Sequence, residues 1–480
     1  MFGLILGKEL REILTTPRFA ATFAVVSLLI LLAFGLGARN FAHARAQHEA
    51  ATAENLRQME GLTDWLRVQP SISLPPQPLA SLVTGISNDI GRDVTVMGLG
   101  TLRASHSRYG EDPVLAVFRF MDLEFIFQVV LSLFAILFAF DLICGEKERG
   151  TLRLALSNAV PRSTWILAKL CGAVAALTLP LLVPLALGGL LLVANGVPMT
   201  QADWLRLVLV VACGLLYVAA TLGLSVLIST LTQRSSTSFL ISLVVWVLLV
   251  LAIPRSSVLL AARSVEVPSV EENLSQLGRL RGQLWSEDRK ALDAFFQENL
   301  QVSDSPIAAE AMVGRFNTFF QQLSEQRSQA LEALEARLSE ERVNRQAAQQ
   351  DWSFTWARLS PAAAFSIAAT RLAGTALDLP RHFIDQAKAY QQTFERFQKD
   401  KTGGRSAGGI QISVRIASTE GDAPPEEVAI DPRELPAFDY QPPPLPQVLR
   451  AAAFDLGLLA AFNLLFFSAA FVAFLRYDVR

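Results

Sequence analysis

The chain has 480 residues, of which 51% are hydrophobic and 18% charged, and its mean hydropathy is +0.35. That is too apolar for an ordinary soluble protein of this length, and a formal net charge of −2 leaves no electrostatic footprint for nucleic acid. The three cysteines, Cys144, Cys171 and Cys213, lie in or beside apolar runs, so no structural disulfide is expected outside the membrane.

Residues 1–17 open the chain with an amphipathic pattern. Phe2, Ile5, Leu6, Leu10, Ile13 and Leu14 recur at helical spacing, Lys8, Glu9, Arg11 and Glu12 are polar, and Pro17 ends the run. Such a helix either lies in the membrane interface or packs as an ordinary N-terminal helix on the protein. The first apolar run, 19–38, follows. Its long, mixed-charge lead and the lack of a clear small-residue cleavage site predict a retained span. Residues 39–119 then read as an outside segment, helical to about Val68, looped around Pro70, Pro75, Pro76 and Pro78, with a short strand or irregular turn over Val94–Leu102.

A second apolar run, 125–144, leads into the charged segment 145–169. An acid near its inner end, Asp141, is expected to pair with a base such as Lys8 or Arg11. The segment begins Gly145, Glu146, Lys147, Glu148, Arg149, Gly150, Thr151, Leu152, and cannot sit in lipid. Lys147, Arg149, Arg153, Arg162 and Lys169 assign it to the cytoplasmic face. It reads either as a solvated loop or as a short helix that docks on a soluble partner, with Glu146 and Glu148 near its start, where acids suit the helix dipole.

The third run, 170–194, contains Pro180 and Pro184, which kink a helix or free carbonyls, as part of a translocation path or of packing geometry. The loop Asn195–Trp204 has no Lys or Arg and is expected outside; runs 207–231 and 236–254 follow, with Arg234 between them on the inner side. Residues 255–447 form a second, larger outside segment, rich in Gln, Glu, Arg and Ala and mainly helical. Glu271–Leu300 is one candidate helix. A second starts at Ser305-Pro306 and runs to about Arg358, with Phe316, Phe320, Leu323, Leu331, Leu334 and Leu338 as its apolar stripe. The two form either a projecting antiparallel hairpin or a compact bundle. Arg381–Lys401 is another amphipathic helix, 402–409 a Gly-rich linker, Ile410–Ala417 a strand, and Asp422–Pro446 mostly loop. The last run, 451–475, holds Asp455 one turn inside, expected to snorkel outward, and the tail 476–480 is basic. Both termini are therefore expected in the cytoplasm.

The chain has no Gly-x-x-x-x-Gly-Lys-Ser/Thr loop, so ATP hydrolysis by this chain is not expected; His-Glu-x-x-His, Cys-x-x-Cys and Gly-x-Ser-x-Gly are also missing. His43, His48, His106 and His382 are scattered and read as solvated side chains rather than metal ligands. The residues thus predict an all-α polytopic membrane protein with six transmembrane helices and a large, mainly helical extracytoplasmic domain carrying a minor β element.

The pattern Glu-x-Glu-x-Gly-Thr-Leu at Glu146–Leu152 resembles the coupling segment of type-2 ABC exporter permeases. The six-span plan and the N-terminal helix resemble that family too. Leu79-Ala-Ser-Leu-Val-Thr-Gly85, Phe120-Met-Asp-Leu-Glu-Phe-Ile126, Leu359-Ser-Pro361 with Leu372-Ala-Gly-Thr375, and Arg476-Tyr-Asp-Val-Arg480 resemble a subfamily of bacterial ABC permeases of unknown function. The resemblance implies an elbow helix around Lys8, Glu9 and Arg11 and ATPase coupling through residues 145–152. It implies two separate ATPase subunits that carry the ATP and Mg, a second permease, identical or related, lipid around the spans, and a bacterial inner membrane. It implies an ATP-driven export or extracytoplasmic handling of substrate. The alternatives are a mechanotransmission subunit that drives a periplasmic partner, and a non-transporting scaffold. Simple members of the family have short outside loops, whereas roughly half of this chain is expected outside.

Overall fold

The computed structural model describes residues 2–87, 93–96, 104–105, 122–157, 161–299, 306–402 and 429–477. The predicted linker from residue 403 on, the strand Ile410–Ala417, His106 and the last three residues lie outside them.

Helix α1 (Phe2–Leu14) and helix α2 (Pro17–Met59) are separated where Pro17 predicts the break. Thr16 caps α2 by accepting from the Phe19 amide at 3.2 Å, and Pro17 occupies the first helical position, where no amide donor is needed. Residues 39–59 contain no glycine or proline, so α2 runs past the apolar stretch to Met59. Next come α3 (Leu123–Glu148), α4 (Thr151–Ser157), α5 (Arg162–Ala194), α6 (Gln201–Leu231) and α7 (Ser235–Ser264). The chain continues through α8 (Val270–Asn299), α9 (Pro306–Ala357), α10 (Pro361–Ala373), α11 (Leu379–Thr402) and α12 (Leu445–Leu475). Among the described residues, α2, α3, α5, α6, α7 and α12 are long and apolar enough to cross a membrane.

The spans share one apolar core centred on α6, which packs against α3, α10 and α12. Small residues let the helices approach closely: a Cβ on Gly214 of α6 would meet the Phe127 ring at 2.6 Å. Both α3 and α7 contain π-helical stretches, Ile126–Leu131 and Leu248–Ala252, and polar side chains gather there. Tyr217 Oη donates to the Gln128 carbonyl at 3.0 Å, Ser132 Oγ donates to the same oxygen at 2.6 Å, and Trp246 Nε1 donates to Ser132 Oγ at 2.8 Å.

Residues 361–373 belong to the stretch the sequence assigns wholly to the outside. The structure packs them as α10 between α6 and α12 and against both π-helical stretches. Phe365 stacks on Tyr217 at 5.2 Å. Thirteen residues rise about 20 Å, too little to cross a bilayer. Ser360 caps α10 and donates to the Leu249 carbonyl in the α7 π-stretch, and Gly374, at φ 75°, ends the helix. Asp455 of α12, expected to snorkel outward, is fully buried: Arg358 Nε and Arg371 Nη1 hold its two oxygens at 2.6 and 3.0 Å. No lipid-facing escape is needed when two guanidiniums neutralise it in place.

Beyond the spans at this end stand two further units. In the first, α11 packs with the far end of α2 and a small antiparallel sheet, β1 (Ser71–Ser73), β2 (Asp93–Thr95) and β3 (Ala104–Ser105), in which Ile72 faces Val94 and Val94 faces Ala104. Residues from both outside segments thus make a single core. Buried Tyr390 donates to the Pro436 carbonyl at 2.9 Å, and burial pushes its hydroxyl up to about 12. The second unit is an arm of α8 and α9. Phe295 stacks on Phe319 at 4.8 Å, Arg327 pairs with Asp288 and covers the Trp285 ring at 4.5 Å, and Arg345 Nη1 donates to the Glu266 carbonyl at 3.2 Å. Partners run in opposite order along the two helices, so the arm is an antiparallel hairpin and not a compact bundle. At 52 residues, α9 is about 78 Å long. Leu338 is buried along the seam, with Leu331 and Leu334 half-buried beside it.

Candidate functional site: the α1 end of the bundle

The charged segment folds as two short helices hinged on a glycine. Cys144–Glu148 closes α3, Gly150 adopts φ 73°, and α4 follows. A left-handed φ is inexpensive only for glycine, so the Gly-Thr step fixes where the chain turns. Leu152 is buried and anchors α4, while Arg149, Gly150, Thr151, Arg153 and Leu154 face outward, Leu154 with 70% of its surface exposed.

The charges before the hinge are satisfied within the chain. Lys147 Nζ donates to the Thr230 and Thr232 carbonyls at 2.5 and 3.0 Å, the C-terminus of α6, and sits 4.4 Å from the Tyr477 ring. Glu148 accepts from the Ser235 amide and hydroxyl at 3.1 and 2.7 Å, the N-terminus of α7. A base on a helix C-terminus and an acid on a helix N-terminus both follow the helix dipole. Ser229 Oγ completes the clasp by accepting from the Ile143 and Cys144 amides at 3.2 and 3.1 Å. The segment is thereby fastened to the turn between α6 and α7.

Its other side is fastened to α1 and α5. Lys169 Nζ lies 2.7 Å from Glu146 Oε1 and 3.0 Å from Glu9 Oε1, donates to the Leu142 carbonyl at 3.1 Å, and is 4.9 Å from the Trp165 ring. Glu9, the one buried residue of α1, lies against Gly172 of α5, where a Cβ would come within 3.0 Å of the Glu9 Cβ. Burial pushes the Glu9 carboxyl up, and the Lys169 ammonium pulls it the other way. One cation therefore joins α1, α3 and α5.

Several sequence expectations change here. Glu146, placed near the start of the charged segment, pairs with Lys169 at 2.7 Å, and Glu148, exposed, accepts from the Ser235 hydroxyl at the α7 N-terminus at 2.7 Å. Asp141 was expected to meet Lys8 or Arg11, yet Lys8 pairs across one turn with Glu12 at 3.7 Å, and Arg11 is exposed. Glu9 was placed on the polar face of α1, but it stands in the same row as Ile5 and Ile13, four residues to either side, which pack on the core. That row is the signal for the burial of Glu9; nothing local marks Lys169 as its partner. Pro180 and Pro184 lie inside an α5 that continues through both, Pro184 buried, and each withholds one amide from the helix ladder. His48, read as solvated, has Nδ1 2.7 Å from Ser73 Oγ.

Six candidate spans, an N-terminal helix packed on the third of them and a charged segment fastened to the neighbouring helices give the chain the build of a multi-pass membrane protein. A model of the ABC-2 family transporter proteins matches residues 4–479, and the chain belongs to that family. No curated protein matches the chain.

Proposed function

We propose that this chain is the permease subunit of an ATP-driven ABC transporter in a bacterial inner membrane, with the α1 end and both termini in the cytoplasm. Two ATPase chains carry the ATP and Mg, a second permease completes the pair, and α4 with the Gly150 hinge receives the stroke. The observation that carries this reading is the Glu9–Lys169–Glu146 contact. A push on α4 reaches α3 through Glu146, and α1 and α5 through Lys169, so three elements move as one. Outward-facing Leu154 is the anchor offered to the ATPase groove.

The test is affinity purification of the full chain from its native membrane. An ABC ATPase should co-purify with the chain, and Leu154→Asp should lose it while the apparent Tm stays unchanged. Purified chain that brings down no ATPase, or a Leu154→Asp variant that binds ATPase like the parent, would refute the reading.

A mechanotransmission role has its own supporting observation. Among the described residues, α8 and α9 pack chiefly on each other and on the end of α7, leaving the arm's outer surface to other contacts. Trp352 and Trp356, both about half exposed at its foot, suit the lipid headgroup level, so the arm would stand clear of the membrane. Deleting the outer half of the arm should then abolish work on the periplasmic partner while ATP turnover persists.

A further inference from the structure

We infer that a site for one small inorganic anion, of chloride size, lies where α6 meets the unit built on α11. Among the described residues two bases are buried, Lys169 and Arg206. Lys169 stands between the carboxylates of Glu9 and Glu146. Arg206 of α6 is only 5% exposed and has no acid at ion-pair distance; its one hydrogen bond runs from Nη2 to the Pro443 carbonyl at 2.5 Å. The acid one turn before it, Asp203, is taken by Thr200, whose amide and hydroxyl donate to Oδ2 at 3.0 and 2.6 Å. A buried charge without a counter-charge is costly, so this guanidinium calls for an acceptor that the chain does not supply.

The polar atoms around it are donors too. Arg206 Nε, Gln77 Nε2 and Tyr440 Oη are all buried and make no hydrogen bond. Gly374, without a side chain, lies between them: a Cβ there would come 3.3 Å from Gln77 Oε1 and 3.9 Å from Arg206 Nη1. Burial pushes the Tyr440 hydroxyl up, while the nearby Gln77 amide and Arg206 charge pull it the other way. Gln77 and Tyr440 are thus neighbours whose polar atoms do not meet in hydrogen-bond geometry. Buried donors without partners are rare in folded chains. Three of them around an uncompensated guanidinium point to one shared acceptor. A water would satisfy the donors and leave the charge unpaired; an anion answers both.

The enclosure sets its size. Arg206 and Tyr440 are more than nine-tenths buried, which shuts the donors off from a lipid headgroup, whose phosphate carries its glycerol with it. A spherical ion accepts from any direction, whereas an inorganic phosphate would bury oxygens that these donors do not reach. Arg206 belongs to a span and Tyr440 to the core of the α11 unit, so the ion would tie that unit to the bundle. The inference does not rest on ATPase coupling and is tested on the permease chain alone.

The test counts chloride. The full chain in a zwitterionic detergent is equilibrated with radiolabelled chloride, while gluconate, too large for the enclosure, holds the ionic strength. One saturable chloride per chain is expected, displaced by bromide and not by gluconate. Tyr440→Phe removes only a hydroxyl that has no partner in the chain, so the apparent Tm in gluconate should be unchanged. Its chloride affinity should fall by about tenfold, the worth of one hydrogen bond to a charged group. Arg206→Gln removes the charge and should weaken chloride by at least about a hundredfold. Tyr440→Phe carries the test if Arg206→Gln does not fold. No saturable binding, displacement by gluconate, or wild-type chloride affinity in either folded variant would overturn the proposal. So would displacement by dioctanoyl phosphatidate, which would assign the donors to a lipid headgroup.

Discussion

Asp455 and Arg358 are 97 positions apart in sequence and 2.6 Å apart in space. With Arg371 on the same carboxylate, the contact fastens both ends of the inserted α10 turn to the last span. Asp455→Asn would leave two partly buried guanidiniums without a counter-charge, a loss on the order of 3 kcal/mol. The apparent Tm should fall, and a cysteine placed at buried Ala363 should become reactive to a water-soluble maleimide. If Ala363→Cys stays as protected in the Asp455→Asn background as in the parent, the carboxylate is not what holds α10.

Lys169 poses the opposite case, one cation between two acids. Lys169→Met removes the charge but keeps the bulk, and leaves Glu9 and Glu146 facing each other with side chains only 3% and 15% exposed. A destabilisation on the order of 3 kcal/mol is expected. Adding Glu9→Gln and Glu146→Gln should recover most of it, because no buried charge then lacks a partner. A triple variant as unstable as Lys169→Met alone would show that the lysine acts through packing and not through charge.

The raised Glu9 carboxyl gives that network a pH dependence. The folded chain binds the Glu9 proton more readily than the unfolded one, so the group's contribution is complete below the ordinary carboxylate pKa. It is lost as pH rises through the raised folded value. Between those two points the apparent Tm should decline, and Glu9→Gln should remove that decline. An identical slope in Glu9→Gln would assign the pH response to another group.

The spans were legible because long apolar runs and flanking bases carry the whole signal of a membrane helix. The join between the first span and the outside helix in α2 was not, since a change of environment leaves no break when the residues favour helix throughout. α10 was hidden for a different reason. It is apolar on nearly every side and only 13 residues long, so it shows neither the length of a span nor the stripe of a surface helix. Its start and stop were nonetheless written in Ser360-Pro361 and Gly374. In the candidate site, the charged segment between two spans was legible, but the turn at Gly150 and the partners of Glu146 and Glu148 were not. An ion pair across 23 positions and a hydrogen bond across 87 leave no local periodicity, and a charged loop between two spans looks the same whether its acids point inward or outward.

The arm tests the reading of the apolar stripe. Leu338 is buried and Leu331 and Leu334 are half-buried along α9, which packs on α8 and the end of α7, in a segment otherwise rich in Glu, Gln and Arg. Replacing all three with Asn removes a buried or half-buried leucine at each position, with a cost of about 1 to 3 kcal/mol for each one well covered. The hairpin should open, and limited proteolysis should cut within α8 and α9 of the variant but not of the parent. The spans should remain inserted, since their insertion depends on their own apolar length and flanking bases. Thermal unfolding of the bundle should therefore be little changed while the arm is digested. Unaltered protease resistance would mean that the aromatic cluster of Phe295, Phe316 and Phe319, together with the Arg327–Asp288 pair, holds the hairpin without the leucine seam.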